Sequence, residues 1–139
     1  MNTQKAIDMS QLALGRLIEE DNLRFSNRDG VATLTEHVER HRDLINAKHG
    51  ITADWHEALF SWSEEVFTPI IRTISPWSYR RTFPQTPLGD LYLAVSDHWG
   101  YLKERDVNAT PIDAARSFLT HYGTGFGRHF SRFLVPSTW

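Results

Sequence analysis

The sequence predicts an all-α protein: a single-domain bundle of about five helices with a kinked central helix and an aromatic C-terminal tail. Three observations carry that expectation. Apolar residues recur at helical intervals through most of the chain. Between those runs stand helix starts and stops, such as Thr110-Pro111-Ile112-Asp113 and Gly50. No segment alternates apolar and polar residues for long enough to argue a strand. The length of 139 residues suits one domain. It divides into an N-terminal helix and turn over 1–30, a core module over 33–122 and a tail over 123–139.

The first pattern, over about 3–25, spaces Ile7, Leu14, Leu17, Ile18 and Phe25 near helical intervals, with Gly15 as a possible kink. Ser26-Asn27-Arg28-Asp29-Gly30 has turn chemistry and should end it. Thr33-Leu34-Thr35-Glu36 matches a capping box, so the second helix is expected to begin there. Leu34, Val38, His41 and Ile45 share one face of it, and Gly50 closes it after Lys48 and His49. The third helix is expected from Thr52 to about Ile74. Trp55, Leu59, Trp62, Val66 and Ile70 make one apolar stripe; Phe60, Phe67, Ile71 and Ile74 make a second. Pro69 should kink or break this helix near Phe67–Pro69.

Ser75–Thr86 reads as a loop. Thr86-Pro87 opens the fourth helix, with Leu88, Leu91, Val95, Trp99 and Leu102 inward and an end near Asp106. The fifth starts at Thr110 and packs Ala114, Ala115, Phe118, Leu119 and Tyr122 before Gly123. In the tail, Phe126, Phe130, Phe133 and Leu134 would form a short apolar face flanked by Arg128 and Arg132.

Composition narrows the function classes. A net charge of −2 argues against broad nucleic-acid binding, which needs a basic surplus. Without cysteine there is no disulfide scaffold, thiolate zinc site or cysteine nucleophile. The N-terminal residues lack the continuous apolar core of a secretory signal, and no run suits a membrane span, so a cytoplasmic location is expected.

Seven histidines are many for this size. His37 and His41, at i and i+4, fall on one side of a helix and could share a metal. Val38 stands where a zincin would have glutamate, and a third ligand would come from His98, Asp97 or His56. No histidine has a glutamate three residues before it, which excludes the standard carboxylate-bridged di-metal bundle. Asp97-His98 reverses the order of a phosphohydrolase pair. No Gly-x-Ser-x-Gly occurs, and the glycines from Gly123 to Gly127 follow no strand. Arg72, Arg80 and Arg81, interleaved with Trp77 and Tyr79, form a basic-aromatic patch suited to an anion or a nucleotide.

The order Glu36-His37, His41-Arg42, Glu57-Ala58, Trp62, Val66-Phe67-x-Pro69, then Arg81-x-Phe83-Pro84-x-Thr86, Asp90-Leu91-Tyr92-Leu93 and His98 resembles an uncharacterised bacterial helical module. That module belongs with the domain-of-unknown-function 4032 group and accompanies universal-stress or ParB-like segments in multidomain proteins. The likeness spans about residues 33–122, with Gln85 in place of an expected glycine. It implies a binding or regulatory role rather than a defined reaction.

The expected function is therefore a small interaction or regulatory module acting through protein contacts, with a protein partner or a second copy of itself. Its candidate groove is lined by His37, His41, His98, Asp90, Tyr92, Arg80 and Arg81. No cofactor is expected. The first alternative is a metal-dependent hydrolase or metal sensor using His37, His41 and His98. The second is a nucleotide or nucleic-acid binder using Arg80, Arg81 and Trp77.

Overall fold

The computed structural model describes residues 12–123. Residues 1–11, including Ile7, and all of the aromatic tail expected over 123–139 except Gly123 lie outside the described residues. All the regular structure among the described residues is helical. The chain divides into two compact units, Met1–Phe67 and Thr68–Trp139.

In the first unit, residues 12–20 are helical (α1) and Gly15 does not interrupt them. The helix ends earlier than its apolar spacing suggests because Asn22 takes a left-handed conformation, with φ of 52°. Leu23 N–H then donates to Ile18 O at 2.8 Å and Asn22 N–H to Glu19 O at 3.1 Å. This closes the end in the manner of a Schellman motif, with asparagine in the position glycine usually takes.

Helix α2 spans Gly30–His49. It starts before the Thr33–Glu36 box, so that box is not its cap; the Thr33 hydroxyl instead donates to Asp29 O at 3.0 Å. Gly30 belongs to the helix rather than to the turn, and a side chain there would collide with the Phe25 ring. The close approach of Phe25 thus requires glycine at the first residue of the helix. The far end is as expected: Gly50, at φ 63°, caps it with its N–H on Asn46 O.

Helix α3, Trp55–Trp62, is started by Asp54, not Thr52. Glu57 N–H donates to Asp54 Oδ1 at 2.8 Å and Asp54 N–H to Glu57 Oε1 at 3.4 Å, a reciprocal capping box. Ser63–Phe67 then winds as a π-helix, α4 follows over Thr68–Ile74, and Pro69 falls in its first turn. Proline lacks an N–H and rejects a carbonyl four residues back, so a local change of helical register before it has a plain cause. Helices α2 and α3 pack on each other. Leu34, Val38, Ala58, Leu59, Trp62, Val66 and Phe67 are buried, with the Trp62 and Phe67 rings 4.9 Å apart.

In the second unit, α4 packs on α6 (Leu88–Arg105) and α7 (Pro111–Tyr122), which also pack on each other. The segment expected to be all loop contains a short helix, α5, over Trp77–Arg80. Helix α6 takes Pro87, not Thr86, as its cap residue, with no side-chain cap bond. Helix α7 begins as its sequence predicts. Thr110 and Asp113 exchange reciprocal bonds of 3.0 Å, with Pro111 in the first turn. Ile70, Ile74, Leu91, Tyr92, Val95 and Phe118 form a buried core. An aromatic chain runs Tyr79, Phe83, Phe118, Tyr122 at centroid separations of 5.9, 5.5 and 5.0 Å. The buried Tyr79 hydroxyl donates to Ala115 O at 2.6 Å, tying α5 to α7; burial raises its pKa above the usual tyrosine range.

Candidate functional site: a groove between the second and third helices

In the first unit, α2 and α3 leave an open groove of about 610 Å³ where the connection 50–54 joins them. Asn46 Oδ1 accepts from Ala53 N–H at 2.8 Å and holds that connection against the end of α2. Ile45, Ile51 and Phe60 supply apolar walls, with Lys48, Ser61 and Glu65 among the polar lining. Phe60 is 70% exposed, so the second apolar stripe expected to bury it does not do so. Ile51 is half exposed on the connection.

Ser61 and Glu65 converge on one histidine. His41 Nε2 lies 2.8 Å from Ser61 Oγ and 3.7 Å from Glu65 Oε2. A hydrolytic triad would place its carboxylate on Nδ1, leaving Nε2 to the serine alone. Here both partners share Nε2, so Glu65 does not orient the ring in the triad manner. His37, one turn earlier on α2, is half-buried, and its pKa is lowered to about 4 by burial, with Arg40 adding to the effect. It is neutral at pH 7. His56 is exposed at the start of α3 and borders the groove.

The second unit holds a similar pair in different surroundings. His98 Nε2 is 2.8 Å from Ser117 Oγ, and His121 Nδ1 is 2.8 Å from Ser117 O and 3.3 Å from its hydroxyl. A carbonyl only accepts, so His121 Nδ1 carries the proton in that bond. The Ser117 hydroxyl lies within reach of both rings and can accept from His121 while donating to, or accepting from, His98 Nε2. His98 is buried, and the rings of Tyr101, Phe118 and Tyr122 stand 5.8–5.9 Å from it. Burial lowers its pKa, with a further contribution from His121. A neutral His98 accepting from Ser117 is consistent with both facts.

The other expected groove residues have separate fates. Asp90 and Tyr92 are buried near the start of α6, whereas Arg80 and Arg81 are exposed. With Ser75, Trp77, Phe83 and Thr86, the two arginines line a cleft of about 410 Å³. Asp97 is half-buried on α6. Among the described residues no group of three or more His, Asp or Glu is placed to hold a metal ion. No helix among them is long and apolar enough to cross a membrane.

Ser61, Glu65, Ile51 and Phe60 were not singled out as site residues by sequence reasoning. The available signal was Phe60 itself, one position off the Trp55-Leu59-Trp62-Val66 stripe. No family model, curated protein or solved structure matches this chain.

Proposed function

We propose that this protein is a binding module and that the α2–α3 groove receives a segment of a partner protein. The observation that carries the reading is the groove itself, about 610 Å³ with Ile45, Ile51 and Phe60 on its walls. Apolar concavities with a few convergent polar groups are the usual form of recognition sites. An aromatic side chain left 70% exposed beside such a concavity is the type of residue that anchors interfaces.

Charge indicates the partner's chemistry. Residues 1–67 carry 12 acidic and 7 basic side chains, a field that favours approach of a basic segment. The matching ligand is a peptide segment with one large apolar side chain set among lysines and arginines. The apolar group enters between Ile51 and Phe60, and its flanking cations meet Glu57 and Glu65.

The test is selection of displayed peptides on the full chain, followed by affinity measurement on the enriched sequences. An apolar residue flanked by basic ones is expected, with binding abolished by Phe60→Asp and retained by Trp77→Ala. Enrichment of sequences indifferent to Phe60→Asp would refute the assignment. A concentration-dependent dimer broken by Phe60→Asp would instead name a second copy as occupant.

A further inference from the structure

The Trp77 cleft of the second unit is unrelated to the peptide groove and has its own chemistry. We infer that it is a site for a nucleoside phosphate, the base stacking on Trp77 and the phosphate held by Arg80 and Arg81. Trp77 is 73% exposed, an unusual position for the largest apolar side chain. The Arg81 guanidinium lies over the Trp77 ring, 5.2 Å from its centroid, so a fixed positive charge stands against the aromatic side chain in the cleft wall. Both arginines line the cleft, and no carboxylate of a described residue forms an ion pair with either.

The remaining lining suits the same ligand. Ser75 and Thr86 bring hydroxyls, which hydrogen-bond sugar or phosphate oxygens, and Phe83 provides an apolar back wall. The cleft, at about 410 Å³, is in the range of small-molecule sites. An acidic peptide would use the arginines but leave the tryptophan face without a role. A planar base with a phosphate uses both.

The experiment titrates the full chain with AMP, UMP, adenosine and ribose 5-phosphate, following heat and tryptophan emission. Saturable binding of the nucleotides is expected, with adenosine and ribose 5-phosphate each about tenfold or more weaker, because each lacks one half of the recognition. Trp77→Leu and Arg81→Ala should each weaken AMP by about tenfold while leaving the melting temperature unchanged, since both side chains are exposed. Added salt should weaken AMP more than adenosine. Ribose 5-phosphate binding as tightly as AMP would reduce the cleft to a plain anion site and overturn the inference. So would AMP binding that survives Trp77→Leu, an absence of saturable binding, or binding confined to single-stranded oligonucleotides.

Discussion

Two histidine–serine pairs of the same length, 2.8 Å, sit in the two units and behave differently because of what surrounds them. His41–Ser61 borders an open groove, with Glu65 on the same nitrogen and 66% exposed. His98–Ser117 stands among Tyr101, Phe118 and Tyr122, with a second histidine completing the hydroxyl's bonding. The inner pair satisfies polar atoms that burial would otherwise penalise. The outer pair ties α2 to α3 beside the groove that Ser61 lines. A serine within hydrogen-bond reach of histidine thus occurs in two different surroundings in this fold, and the distance by itself does not assign chemistry to either.

The largest expected effect separates cage from groove. Phe118→Ala should cost about 3–5 kcal/mol, the usual loss for a fully buried phenylalanine, whereas Phe60→Ala should change stability by less than about 0.5 kcal/mol. Urea unfolding of both variants checks this; equal losses would mean that Phe60 is core and the groove is not open.

Next in size is pH. His37 and His98 both have folded-state pKa values below that of the unfolded chain. Their neutral forms are favoured on folding, so this stability is fully present above about pH 6.5 and is lost as pH falls below it. For His37 the loss runs from about 6.5 down to about 4 and amounts to at most about 3 kcal/mol. Denaturant midpoints recorded from pH 7 to pH 4 should decline less steeply in His37→Gln. An unchanged slope would place His37 in water.

Smaller still is the contrast between the serines. Ser117→Ala leaves the buried His98 Nε2 without its hydrogen-bond partner and should cost about 1–3 kcal/mol, while Ser61→Ala should cost about 1 kcal/mol or less because water reaches the groove. Thermal melts of the two variants rank them, and a reversed order would break the distinction drawn between the pairs. The smallest effect is expected for Glu65→Gln. Its 3.7 Å contact with His41 is an ion pair only when the imidazole is protonated, so the loss should be about 0–1 kcal/mol and should vanish in high salt.

Much of the helical order was legible in the chain. Gly50 ends α2, and Thr110, Pro111 and Asp113 open α7 as read, because capping uses groups within three or four residues of each other. Other boundaries were set by contacts outside that range or by a residue in an unusual conformation. Helix α2 starts ahead of the Thr33 box, at a glycine packed against Phe25, and left-handed Asn22 ends α1 before Phe25. The candidate sites divide in the same way. Trp77, Arg80 and Arg81 were visible as a patch because they are neighbours in sequence. The α2–α3 groove was not, because its walls come from two helices and the connection between them.

By itself the sequence determined that this protein is helical, where several of its helices end, and that a basic-aromatic cluster lies ahead of α6. Helical periodicity and capping are local, so local residues suffice to specify them. Only the tertiary structure decided which histidines meet which serines. His41 and Ser61 are 20 residues apart and His98 and Ser117 are 19 apart, and their pairing depends on how one helix packs against the next. It also decided that Phe60 faces water while Phe67, a member of the same expected apolar stripe, is buried, a split within one stripe that periodicity does not foresee.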